Sequence, residues 1–77
     1  MNIEVLLFGI LADVAGTERF SVSDIKDTDD LKRKILIKVP DLNSYRYQLT
    51  VNKTITRENI KLNDGDEVAF LPPFAGG

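Results

Sequence analysis

Two short apolar segments, one near each end of the chain, constrain the fold more than any other feature. Residues 3–8 read IEVLLF and residues 67–71 read EVAFL, and both are almost continuous in apolar side chains. Such runs are typical of strands in the centre of a sheet, where both faces of the strand are covered. The sequence therefore predicts that both segments are central strands, with residues 3–8 covered on both sides.

One segment between these strands has helical periodicity. Residues 28–39 read TDDLKRKILIKV, and their apolar side chains recur three or four positions apart: Leu31, Ile35, Leu36 and Val39. This spacing places them on one helix face, which we expect to cover the sheet. Thr28 is the predicted N-cap, because Asp29 and Asp30 follow in the first turn, where carboxylates oppose the helix dipole. Pro40 ends the helix.

Alternating apolar residues and turn signals predict the remaining elements. Residues 18–23 (ERFSVS) and 47–51 (YQLTV) alternate as half-buried strands, and the first of these forms a hairpin with the opening strand. Residues 9–16 (GILADVAG) predict a short helix that ends at a left-handed glycine. Residues 63–66 (NDGD) predict a tight turn. The stretch 55–62 (ITRENIKL) is a short strand or a turn.

Apart from the short helix, these elements follow the order strand, strand, helix, strand, short element, strand. The helix between the hairpin and the later strands supplies the crossover that parallel pairing of the first and last strands requires. The sequence therefore predicts an α+β fold of β-grasp (ubiquitin-like) type, with a mixed four- to five-stranded sheet packed on one main helix. A chain of 77 residues has room for one core, so residues 1–77 are predicted to be a single domain with residues 72–77 as an extended tail.

The composition excludes several kinds of function. Cysteine and histidine are both absent, so a thiolate nucleophile, the usual general base and the usual metal ligands are missing, and we expect no bound metal. The net charge of −2 argues against a nucleic acid partner, and the run Lys32-Arg33-Lys34 is interpreted as a solvated helix face. Because the sequence shows neither a signal peptide nor a long apolar segment, we expect a cytoplasmic protein with no membrane partner.

The last residues, FLPPFAGG, indicate a segment that inserts into another molecule. Pro72 and Pro73 lock φ and favour an extended path away from the body. Residues 72–77 can reach on the order of 20 Å. The tip is narrow because its residues carry little or no side chain: Ala75, Gly76 and Gly77.

The α-carboxylate of Gly77 has chemistry that the surface side chains do not duplicate. A carboxylate is a poor electrophile, so it must be activated before any transfer, most simply as an acyl-adenylate formed with ATP. The sequence has no phosphate-binding glycine loop of the GxxxxGK type. We therefore expect no bound cofactor and assign the use of ATP to an activating partner, which makes the chain a carrier and not a catalyst by itself.

Three segments carry a family resemblance: VLLFGILADVAGT near the start, LTVNKT in the middle and LNDGDEVAFLPPFAGG at the end. They resemble the small subunit of molybdopterin synthase, the sulfur carrier of molybdenum cofactor biosynthesis. The long ending is specific, whereas a terminal Gly-Gly alone is shared with ubiquitin and the thiamine-pathway sulfur carrier. Phe74 departs from the pattern, since the family more often has a smaller β-branched residue there.

The resemblance implies a mechanism and a set of partners. An ATP-dependent adenylating enzyme activates Gly77, a sulfur donor converts it to a thiocarboxylate, and the tail enters the large synthase subunit, where the sulfur passes to a cyclic pyranopterin precursor. One dithiolene needs two sulfur transfers, so the implied synthase is a heterotetramer with two copies of each subunit. The residues implied to bind in the partner are those of the tail: Pro73, Phe74, Ala75 and Gly76.

The resemblance also implies an apolar docking patch formed by Phe8, Ile55 and Leu71. Each of these residues has a plainer interpretation. Phe8 and Leu71 fit equally well as core residues, and Ile55 fits as a singly exposed apolar residue without a role.

Other classes of function stay open. A ubiquitin-like modifier would use the same activated C-terminus to acylate lysines. A sulfur carrier of another pathway, for thiamine or for tRNA thiolation, would use the same thiocarboxylate. A plain interaction module whose tail has no role is disfavoured by the resemblance of the whole ending.

Overall fold

The structure of the chain, a computed structural model, describes residues 2–73. Its elements in chain order are β1 (Asn2–Leu7), α1 (Ile10–Ala15), β2 (Arg19–Ser23), α2 (Thr28–Lys38), a 3-10 helix (Pro40–Ser44), β3 (Gln48–Val51), β4 (Thr54–Thr56) and β5 (Glu67–Leu71). The predictions made for residues 74–77 lie outside the described part of the chain.

The strands form one mixed sheet in the order β2-β1-β5-β3-β4. β1 and β5 are parallel neighbours, with Val5 opposite Val68 and Leu7 opposite Phe70, and the other pairings are antiparallel. Parallel neighbours cannot be joined by a tight turn, so a crossover connection must link β1 and β5. α2 lies in this crossover, between the β1-β2 hairpin and the later strands. The predicted β-grasp fold is confirmed, including the pairing of the first and last strands.

The core lies between one face of this sheet and the helices. Its fully buried apolar side chains come from every layer: Ile3, Val5, Leu11, Ile25, Leu31, Ile35, Leu42, Leu62, Val68 and Phe70. Leu31 and Ile35 belong to the predicted helix face, and Ile37, which lies off that face, is 74% exposed. The rings of Tyr47 and Phe70 pack with centroids 5.0 Å apart. Because β5 is packed into this core, the position at which the strand ends, Leu71, is fixed relative to the body.

The prediction that the first strand is covered on both sides is wrong. Ile3, Val5 and Leu7 are buried, but the alternate residues Glu4 and Leu6 are only half-buried. The described helices contribute their buried residues to the inner face, and a domain of this size has no second layer for the outer face. A run of apolar residues therefore did not indicate burial on both faces here.

The predicted N-cap of α2 is displaced by one residue. Asp27 is the N-cap, and its side chain accepts a hydrogen bond from the N–H of Asp30 at 2.8 Å. Thr28 is instead the first helical residue and is buried. Its hydroxyl accepts from the N–H of Ile60 at 3.1 Å and donates to Oδ1 of Asn59 at 3.1 Å. The hydroxyl of Thr28 therefore makes a long-range contact, which the local sequence does not reveal.

The smaller elements agree with the sequence. α1 ends at Gly16, which has the predicted left-handed conformation with φ 76°. In the NDGD turn the N–H of Asp66 donates to the carbonyl of Asn63 at 3.0 Å. The undecided stretch 55–62 divides into the end of β4 and a loop that hydrogen-bonds to the start of α2. None of the helices in the described part of the chain has the length and apolar character needed to cross a bilayer.

Candidate functional site

A row of side chains crosses four strands on the outer face of the sheet, the face turned away from α2. Leu6 of β1 lies opposite Ala69 of β5, and Ala69 lies opposite Thr50 of β3. Thr50 in turn lies opposite Ile55 of β4. In β1, β3 and β5 the residues on either side of the row are buried in the core, so the row itself points outward. The centre of the outer face is therefore largely apolar.

The predicted docking patch of Phe8, Ile55 and Leu71 lies on or beside this face. Ile55 ends the row and is 55% exposed. Leu71 is half-buried at the end of β5, opposite Gln48. Phe8 is 46% exposed, and its N–H donates to the carbonyl of Phe70 at 3.2 Å, which places it beside Leu71. Neither Phe8 nor Leu71 belongs to the core, so the interpretation of these two as core residues is wrong.

Two apolar residues with exposed surface were missed by the sequence-based prediction. Leu6 begins the row at β1, and the sequence predicts it to be covered because segment 3–8 is almost continuous in apolar side chains. Ile10, the first residue of α1, is 46% exposed. The helical spacing does not identify it, since Val14, one turn later on the same side of α1, packs against the core.

A charged pair borders the apolar row at β2. Arg19 lies opposite Leu6, and its Nε atom is 2.7 Å from Oε1 of Glu4. Ser21 donates its hydroxyl to the other carboxylate oxygen of Glu4 at 2.9 Å. An exposed ion pair of this kind contributes at most about 1 kcal/mol to stability. Its clearer consequence is to limit the apolar surface on the β2 side.

The root of the tail is formed where the chain leaves β5. Pro72 lies against Gly9, so that a Cβ atom at position 9 would be 3.2 Å from Cγ of Pro72, and Gly9 itself has φ +57°. Pro72 is half-buried, whereas Pro73 is exposed. The roles predicted for Phe74, Ala75, Gly76 and Gly77 concern residues outside the described range and stay predictions.

Two carboxylates with shifted pKa values lie away from the docking patch. Arg33 donates to Asp30 at 2.8 Å and, with a backbone N–H, holds the pKa of that carboxyl below its ordinary value. The backbone N–H of Asn63 and the side-chain amide of Asn52 lower the pKa of Asp66 in the same way. Both carboxylates stabilise turns or helix starts. Within residues 2–73 no three acidic side chains are grouped so that they could hold a metal ion.

Comparison with known proteins places the chain in a family. The model of the ThiS family matches residues 5–77. The chain belongs to the ThiS family. The molybdopterin synthase sulfur carrier subunit of Chlamydomonas reinhardtii is 37% identical to it over 83 residues, with all of both chains covered. The resemblance drawn from the three sequence segments is thereby confirmed.

Two solved structures are similar over nearly the whole chain. One is a chain in the complex of subunits 1 and 2 of the molybdopterin-converting factor from Helicobacter pylori. It is 30% identical to this chain, with a TM-score of 0.76, and the match covers all of this chain and all of that chain. The other is small archaeal modifier protein 1 from H. volcanii, with 25% identity, a TM-score of 0.84, and 95% of this chain and 98% of that chain covered. Both structures support the β-grasp assignment. By their names, the first serves in a molybdopterin-converting factor and the second is a protein modifier, so the two relatives have different functions.

Proposed function

We propose that the chain is a sulfur carrier in molybdopterin biosynthesis and that Gly77 carries the sulfur. The observation that supports this most strongly is the match over the full chain to a molybdopterin synthase sulfur carrier subunit. The fold is consistent with that role, because β5 lies among the central strands of the sheet and leads directly to the prolines of the tail.

The chemistry proceeds in three steps. A carboxylate oxygen of Gly77 attacks the α-phosphate of ATP on an adenylating enzyme, and pyrophosphate leaves. Sulfur at the oxidation level of sulfide (HS⁻), supplied by a donor, then attacks the acyl carbon and loses its proton, and AMP leaves, which produces the thiocarboxylate. In the large subunit the thiocarboxylate sulfur bonds to a carbon of the pyranopterin precursor and displaces an oxygen substituent from that carbon. Water then hydrolyses the resulting thioester, which leaves the sulfur on the precursor as a thiolate and regenerates the carboxylate of Gly77. The described residues take no chemical part in these steps and serve to present the tail.

The large synthase subunit is the partner that we assign to the docking patch. A related subunit 1 has been solved in complex with subunit 2 of the molybdopterin-converting factor. Phe8 and Leu71 lie together near the root of the tail, and Ile55 extends the apolar surface to β4. An apolar centre with a charged border is typical of protein interfaces. The heterotetrameric assembly, the adenylating enzyme, the sulfur donor and the cytoplasmic location complete the proposal.

Reconstitution with purified components tests this function. The chain carrying a C-terminal thiocarboxylate, prepared by cleaving an intein fusion with sulfide, is mixed with the large subunit and the precursor. We expect molybdopterin to form and the thiocarboxylate to return to carboxylate. The matched control is the same chain with an ordinary carboxylate, which should yield no product. Formation of no product from the thiocarboxylated chain would contradict the proposal.

A second function is favoured by one observation. The similarity to a small archaeal modifier protein supports a role as a protein modifier, in which a lysine amine captures the acyl-adenylate in place of sulfur. Both functions share the activated C-terminus and differ in the nucleophile that follows. The state of the protein in its own cells therefore decides between them.

A further inference from the structure

Pro72 is the last half-buried residue that the structure describes, and its ring lies against a glycine. Its ring lies so close to Gly9 that a Cβ atom there would be 3.2 Å from Cγ of Pro72. This separation is tighter than ordinary van der Waals contact. The close approach of the proline ring therefore depends on the absence of a side chain at position 9.

Gly9 is itself held in place from two sides. Its carbonyl accepts from the N–H of Ala12 at 3.1 Å and from that of Asp13 at 3.3 Å, which ties it to the start of α1. The preceding residue, Phe8, donates to the carbonyl of Phe70 at 3.2 Å, which ties it to β5. Gly9 has φ +57° and ψ −133°, a conformation that a residue with a side chain adopts only with strain. The surface under Pro72 is thus a rigid part of the body.

We propose that Gly9 and Pro72 are positioning residues that anchor the root of the tail and set the direction in which it leaves the domain. This inference rests on the proposed function, since a direction matters only if the tail must enter a partner. With Pro72 anchored, the direction of the chain at Pro73 is set by the body of the domain, and residues 73–77 could reach about 17 Å if fully extended. Without the contact, the body fixes the chain only as far as the end of β5.

Substitution of Pro72 tests the anchor. Pro72→Ala removes the ring that contacts Gly9 and also the restriction on φ at position 72. With thiocarboxylated chain and excess large subunit, we expect Pro72→Ala to lower the second-order rate constant of sulfur transfer about tenfold relative to the unsubstituted chain, because misplacement of a reacting group slows a reaction steeply. An unchanged rate constant would overturn the anchor.

A double-mutant cycle separates the contact from backbone strain. Gly9→Ala places a Cβ against the Pro72 ring, so it should slow transfer in the natural background but not in the Pro72→Ala background, where Cγ is gone. The strain from positive φ does not depend on Pro72, so Gly9→Ala should lower the unfolding midpoint in both backgrounds. A purely structural role would shift the midpoint and leave the transfer rate, measured well below that temperature, unchanged.

The outcomes distinguish the anchor from the proposed function. If the unsubstituted thiocarboxylated chain transfers no sulfur, the proposed function fails. In that case the same double-mutant cycle is measured by chemical denaturation, which still reports on the contact. Purely additive effects of Gly9→Ala and Pro72→Ala on the free energy of unfolding would overturn the anchor. If the unsubstituted chain is active and the two substitutions act additively on the transfer rate, the anchor alone is wrong.

Discussion

Replacing Ile55 with aspartate tests the docking patch, because this side chain is already largely exposed in the isolated domain. Ile55 is 55% exposed, so Ile55→Asp should change the free energy of unfolding by no more than about 0.5 kcal/mol. Full burial of an isoleucine contributes at most about 3 kcal/mol, so roughly half of this, about 1.5 kcal/mol, is available on docking. An unpaired carboxylate in the interface adds about 1 kcal/mol or more.

The expected loss of binding is therefore about 2.5 kcal/mol, or roughly seventyfold in Kd for the large subunit. Ile37→Asp is the matched control, since Ile37 is 74% exposed on α2, on the other side of the sheet from the docking patch. Titration calorimetry measures Kd for both variants, and urea denaturation measures their stability. The reasoning is refuted if both variants bind equally well, or if Ile55→Asp unfolds the isolated domain.

Three further predictions concern the fold and the tail. Phe70→Ala should lower the free energy of unfolding by about 3–5 kcal/mol in urea titrations, because Phe70 is completely buried; a loss below 1 kcal/mol would contradict the described core. The pKa values of Asp30 and Asp66 are lower in the folded protein than their ordinary value of 3.8. The stability that these two carboxylates contribute is therefore present above that pKa and is lost as the pH falls below it. Between about pH 5 and pH 2 the urea midpoint should drop less steeply in the double variant Asp30→Asn, Asp66→Asn than in the unsubstituted protein, and an equal dependence on pH in the two proteins would refute this. Deletion of Gly77 should end sulfur transfer and leave the unfolding midpoint unchanged, whereas a large loss of stability would contradict a tail that extends from the body.

The overall fold was predictable because its signals are local and strong. The periodicity of Leu31 and Ile35 identified the main helix, and the two apolar segments identified the strands that became β1 and β5. Their parallel pairing was predicted from the main helix between them, since parallel neighbours need a long crossover connection, which is usually helical.

The errors came from contacts made at long range. Thr28 was predicted as the N-cap from its neighbours, but its hydroxyl binds the loop at Asn59 and Ile60, and Asp27 caps the helix instead. The sequence predicts that Leu6 is covered, because an apolar segment does not reveal that the helices pack on one face of the sheet only. Whether an apolar residue lies in the core or on the outer face depends on what packs above it.

The candidate site was predictable only in part. The exposure of Ile55 agrees with an interface role, and the position of Phe8 beside Leu71 appeared only with the register of β1 and β5. The contact between Gly9 and Pro72 joins residues that are distant in the sequence, so no local sequence pattern predicts it. The roles of residues 74–77 stay predictions.

Intact mass spectrometry of the protein isolated from its own cells tests the central claim most directly. A sulfur carrier should be recovered largely as the free chain, with a fraction in which one oxygen of the Gly77 carboxylate is replaced by sulfur. That fraction should disappear on incubation with the large subunit and the pyranopterin precursor, and the carboxylate should return. Recovery of most of the protein in isopeptide linkage to lysines of other proteins, with no thiocarboxylate detected, would contradict the carrier function and establish the modifier function in its place.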